Sequence, residues 1–84
     1  MTAILIVDDE PAMVGMIAAL LGSEGYEIVT AYDGDTALRR YADEHPDLVI
    51  LDRQMPRLSG DQVVLRLRAL GSSTPILMLT GEKG

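Results

Sequence analysis

Two unbroken apolar runs, Ile4-Leu5-Ile6-Val7 and Leu48-Val49-Ile50-Leu51, each stop on a carboxylate, at Asp8 and at Asp52. A short continuous apolar run bounded by polar residues reads as a strand buried on both faces. A third run, Ile76-Leu77-Met78-Leu79, opens after Pro75 and ends at Thr80. Residues 26–30 alternate behind Gly25 and read as a further strand. Between the strands the apolar positions recur at helical spacing. Met13, Met16, Ile17, Leu20 and Leu21 form the predicted inward stripe of a first helix, with Pro11 in its first turn and Gly22 as its terminator. Ala37, Leu38, Tyr41 and Ala42 predict a second, capped by Asp33 or Asp35 and stopped by Pro46. Residues 54–59 read as a loop. A third helix over residues 61–70 turns Val63, Val64, Leu67 and Leu70 inward and ends at Gly71.

The order is therefore strand and helix in strict alternation, closing on a fourth strand. That pattern predicts an α/β fold, a parallel sheet with right-handed crossovers and helices on both faces. In such sheets ligands bind beyond the carboxyl ends of the strands. The first strand runs into Asp8-Asp9 and the third ends at Asp52, so three acids are expected at that edge. Like charges repel, and a hard cation relieves the repulsion; Mg²⁺ or Mn²⁺ suits carboxylates, waters and a phosphate oxygen. Thr80, at the same edge, offers a hydroxyl to a phosphoryl oxygen, and Gly81 leaves an open backbone N–H. The alternative for any single Asp is an ordinary helix cap, as Asp9 or Glu10 would be at the first helix.

Composition narrows the class. The chain has 84 residues, room for one small domain. It has no Cys, which excludes disulfides and thiolate chemistry. A net charge of -6 without a basic stripe argues against direct nucleic-acid binding. No apolar run reaches membrane-spanning length. Met1-Thr2-Ala3 leads straight into the first strand, which predicts a cytoplasmic chain with no leader and no membrane association.

Taken together, Ile4 to Pro11, Ala31 with Asp33-Gly34 and Ala37-Leu38, Pro46 to Asp52, Met55-Pro56, Gly60, and Pro75-Ile76 to Leu79-Thr80 resemble the receiver domain of bacterial two-component response regulators. The resemblance runs the length of the chain in the right order. It implies a flavodoxin-like, doubly wound parallel sheet. It also implies Asp52 as the phosphoacceptor, Asp8 and Asp9 as the acidic pair that holds Mg²⁺, the Gln54 backbone carbonyl as a further metal ligand and Thr80 as the switch hydroxyl. The implied partner is a sensor histidine kinase or a phosphotransfer protein. The implied role is a signalling module, not an enzyme, beyond slow self-catalysed phosphorylation and dephosphorylation. His45, the only His, sits at a solvated helix end and is not expected to carry phosphate.

The family continues with a helix, a fifth strand carrying a Lys, and a final helix. The 84 residues are expected to form a partial receiver, truncated after the fourth strand. Lys83, the only Lys, is a poor substitute for the one on the fifth strand. A fourth strand at the edge of the sheet is a template for pairing, so a homodimer through residues 76–79 is expected, by direct pairing or by exchange about a hinge at Ser72-Ser73-Thr74. The alternative function is a truncated, non-phosphorylated interaction or dimerisation module. An aspartyl-phosphate phosphatase fits less well, because Gln54 stands where such enzymes place a second, proton-donating Asp.

Overall fold

The structure, a computed structural model, describes residues 1–79. The elements follow one another as β1 (Ala3–Val7), α1 (Pro11–Ser23), β2 (Glu27–Ala31), α2 (Gly34–Glu44), β3 (Leu48–Asp52), α3 (Gly60–Ala69) and β4 (Ile76–Leu79). All strand pairs are parallel, in the order β2-β1-β3-β4. This is the flavodoxin-like arrangement, with the sequence order reversing between β1 and β3.

The period-2 alternation of the strands divides the core into two layers. Leu5, Val7, Val29, Ala31, Val49 and Leu51 face α2 and α3, where Ala37, Val63 and Leu67 close over them. Ile4, Ile6 and Ile50 face α1, which contributes Val14, with Ile17, Ala18 and Leu21 packed at the rim. Leu5, Ile6 and Leu51 are among the most deeply buried side chains, each worth about 1.5–3 kcal/mol against an exposed position. The runs are apolar throughout because both faces of β1 and β3 are covered.

Several boundaries and faces depart from the sequence expectation. β2 begins at Glu27, one residue late, because its ladder is set by Glu27 N–H donating to the Thr2 carbonyl at 2.9 Å. α1 passes Gly22 and ends at Ser23; Gly25, at φ +94°, supplies the left-handed turn that a side chain resists. Within α1, Met16 and Leu20 are exposed rather than inward, at 55% and 63%. The helix carries no charged residue, so hydropathy does not mark which side meets the sheet. Ala42 of α2 is also exposed. Leu70 lies just past the end of α3, as its C-cap, and is 76% exposed.

α2 and α3 are capped by their own side chains. Asp33 Oδ1 accepts from the Thr36 N–H at 2.7 Å. Ser59 and Gln62 form a reciprocal capping box at the start of α3. Between α3 and β4, the half-buried Tyr41 hydroxyl meets Thr74 Oγ1 at 2.6 Å and Ser72 Oγ in a shorter hydrogen bond. Arg68 Nη1 donates to the carbonyls of Ser72 and Thr74 at 3.0 and 2.9 Å. Among the described residues no helix is long and apolar enough to cross a membrane.

Candidate functional site

Parallel pairing of Val7 with Leu51 brings the carboxyl ends of β1 and β3 side by side. Asp8 leaves the first and Asp52 ends the second, at the point where the sheet order reverses. Both are buried, at 3% and 4% exposure, while Asp9 faces solvent. One oxygen from each of Asp8, Asp9 and Asp52 lies within 4.8 Å of the others. The acids expected together are together.

Local backbone holds them in place. Asp8 Oδ1 accepts from the Glu10 N–H at 3.0 Å, which anchors its carboxylate at the start of α1. Asp52 Oδ1 accepts from the Gln54 N–H at 3.3 Å. The β3–α3 loop closes behind Asp52 through the Gly60 N–H, which donates to the Arg53 carbonyl at 2.9 Å. A Cβ on Gly60 would stand 2.8 Å from Arg53 Cα and closer still to the Asp52 carbonyl oxygen. Only glycine lets α3 begin this near the end of β3. Met55 and Leu58 fold into the core from the same loop. In the sequence Gly60 stands between the loop over residues 54–59 and the helix predicted from residue 61, but its close approach to Asp52 is a tertiary fact with no local signal.

The donor set is all oxygen, which suits small hard cations and not thiophilic metals. Ligand oxygens on opposite sides of Mg²⁺ stand about 4 Å apart, given bonds of about 2.0–2.1 Å. One oxygen from each of the three acids within 4.8 Å of the others is a spread on that scale. Thr80, Gly81 and Lys83 lie outside the described residues. His45 is exposed, and as the left-handed C-cap of α2 it stands apart from the three acids.

Beside the site, the β3–α3 loop meets the start of α2. Leu58 fills the space next to Gly34, where a Cβ would come within 2.8 Å of its side chain. Arg57, at φ +66°, places Nη2 3.8 Å from Asp33 Oδ2. The Thr36 hydrogen bonds, backbone first, hold the Asp33 carboxyl below the usual carboxylate range, and Arg57 and Arg39 add to this.

The sequence matches the family model for the response regulator receiver domain over residues 4–84. The chain belongs to this family. Among curated relatives, the receiver domain is 43% identical over 79 residues to the alkaline phosphatase synthesis transcriptional regulatory protein PhoP of Bacillus subtilis, covering 94% of this chain and 33% of that one. It is 48% identical over 77 residues to the probable transcriptional regulator ycf27 of Cyanophora paradoxa, covering 92% and 32%. The chain thus spans about a third of the length of these relatives. Among solved structures, Vibrio cholerae chemotaxis protein CheY4 superposes with a TM-score of 0.88 at 36% identity, covering 100% of this chain and 72% of that one. A crystal structure of histidine kinase ThkA in complex with response regulator TrrA matches with a TM-score of 0.89 at 40% identity, with the same two coverages, 100% and 72%. The receiver fold and the two-component family are thereby established, and they favour a receiver over a bare dimerisation module.

Proposed function

We propose that this receiver domain accepts a phosphoryl group on Asp52 from a phosphohistidine of a sensor histidine kinase or phosphotransfer protein. The observation that carries this reading is the gathering of three carboxylates from two adjacent strand ends within 4.8 Å. Two buried carboxylates beside a third, exposed one are costly to the fold, and such groupings are characteristic of functional sites. The known complex of a related response regulator with a histidine kinase supports the choice of partner.

In the proposed step an Asp52 carboxylate oxygen attacks phosphorus as the P–N bond to the imidazole breaks. The electron pair stays on the departing nitrogen, which takes up a proton. The Gln54 N–H, donating to Asp52 Oδ1, orients the carboxylate for the attack. Asp8, Asp9, Asp52 and the Gln54 carbonyl are the residues that would hold Mg²⁺ or Mn²⁺. Such an ion supplies charge neutralisation on the transferring oxygens. Thr80 is proposed as the hydroxyl that closes on the phosphoryl group. Water later hydrolyses the acyl phosphate at Asp52, which makes the domain a timed switch acting on the cytoplasmic side, with no direct role in binding nucleic acid.

A homodimer is also proposed for the 84-residue chain. Among the described residues β4 is an outer strand, and its Leu77 is 55% exposed. Acetyl phosphate with Mg²⁺ tests the central reading. Label is expected on the wild-type chain and lost in Asp52→Asn. Label that survives that substitution overturns the assignment.

A further inference from the structure

We propose that Arg57 and Asp33 tether the tip of the β3–α3 loop to the start of α2, and that this tether positions the Gln54 backbone beside the acidic cluster. The inference rests on the reading of Asp8, Asp9, Asp52 and Gln54 as a cation site, and it adds two positioning residues to it.

Three observations converge on the tip. Arg57 adopts φ +66°, a left-handed conformation that is uncommon outside glycine. Its guanidinium lies 3.8 Å from Asp33 Oδ2, while Asp33 Oδ1 is already engaged at 2.7 Å in capping α2. Its neighbour Leu58 is buried against Gly34, the first residue of the same helix. The tip is thus seated on a rigid element by one ion pair and one apolar contact. The base of the loop is fixed by the Gly60 N–H on the Arg53 carbonyl. Gln54 lies between these two fixed points, and its N–H reaches Asp52 Oδ1 at 3.3 Å. A loop held at both ends presents its backbone with less freedom to lose on binding, which raises affinity without adding a ligand.

The sign of one variant separates this tether from plain electrostatics. Arg57 is a cation near an acidic site, so its removal should strengthen Mg²⁺ binding if only its charge matters. If it positions the loop, removal should weaken binding. The pair is exposed, with 73% and 32% of the two side chains accessible, so the expected effect is about two- to fivefold in Kd.

Mg²⁺ titrations by NMR on the 84-residue chain provide the test. Arg57→Ala is expected to weaken Mg²⁺ two- to fivefold, Arg57→Lys to recover part of the loss, and Asp33→Asn, which keeps a capping side chain, to weaken it by a similar factor. The double variant Arg57→Ala/Asp33→Asn should be no worse than either single one. Arg57→Ala should also speed amide hydrogen exchange at Gln54 to Ser59 in metal-free buffer. Unchanged or tighter Mg²⁺ binding in Arg57→Ala, alongside loss of binding in Asp52→Asn, overturns the tether and leaves the cation site standing. A wild-type chain that binds no Mg²⁺ overturns the cation site and with it the positioning role. The exchange rates then report only whether the loop is tied.

Discussion

Gly60 has no room for a methyl group, since a Cβ there would run into the backbone of Asp52 and Arg53. Gly60→Ala is expected to cost about 1–3 kcal/mol, the range for overpacking, and to displace Asp52. Urea unfolding and Mg²⁺ affinity should therefore fall together in this variant. Asp52→Asn should act in the opposite sense on stability. It removes one charge from a cluster confined within 4.8 Å, so the metal-free melting temperature is expected to rise by several degrees, about 4–8 °C per kcal/mol relieved. Millimolar Mg²⁺ should stabilise the wild type by about 1 kcal/mol when its concentration is about five times Kd, and should do less for the variant. Thermal melts of both proteins with and without Mg²⁺ check this; a melt that Mg²⁺ moves in neither protein contradicts the site. Asp33 sets a pH dependence of defined sign. Its carboxyl is held below the ordinary value of 3.8, so the folded state binds fewer protons than the unfolded one in acid. Its contribution is complete above that value and is lost as the pH falls through the lowered one. Asp33→Asn keeps a good cap but does not titrate, so the wild type's advantage over it should shrink below about pH 4. The acidic site was legible in the sequence because Asp8 and Asp52 each directly follow a short, β-branched-rich apolar run, the pattern of a buried strand, and Asp9 adjoins the first. The roles of Gly60 and Arg57 were not, since both depend on how close another segment comes.

At the scale of elements, β1, β3 and β4 could be read from their unbroken apolar runs; burial on both faces leaves no polar position inside β1 and β3, whereas β4 keeps the apolar pattern as an outer strand with Leu77 exposed. α1 was legible as a helix but not as to its inward face. With no charge along Pro11–Ser23, the sequence cannot distinguish Val14 and Ala18, which pack on the sheet, from Met16 and Leu20, which do not. α3 carried a usable signal in Ser59 and Gln62, whose spacing is that of a capping box and sets the helix start at Gly60. The Tyr41 clamp joins α2 to the α3–β4 loop and had no sequence signal at all. Tyr41→Phe leaves the Ser72 and Thr74 hydroxyls without their phenol partner and is expected to cost about 1 kcal/mol. The urea midpoint should fall while the slope stays as in wild type.

For the whole molecule, charge is divided along the chain. Residues 1–32 contain no Lys or Arg, and every Arg lies in α2, the β3–α3 loop or α3. The α1 side of the sheet is therefore apolar with acidic ends, and β4 adds Leu77 to it at 55% exposure. The 84-residue chain is expected to self-associate through β4 at micromolar concentration. Direct strand pairing is the favoured route, because Tyr41 and Arg68 tie down the Ser72 to Thr74 segment that exchange would need as a hinge. Light scattering should show dimers, and Leu77→Lys should shift them to monomers; its exposure means the fold tolerates the change. A monomer whose melting temperature is independent of concentration contradicts this assembly.

The Tyr41 clamp also makes the molecule its own optical reporter. The chain has no Trp or Phe and three Tyr, of which Tyr26 and Tyr32 are 41% and 49% exposed. Among the described residues only Tyr41 has its hydroxyl fixed by two neighbours, so the near-ultraviolet circular dichroism of the native state should arise chiefly from that one ring. On heating, a tyrosine band that vanishes while the far-ultraviolet helical signal persists would mark the moment when α2 lets go of the segment leading into β4.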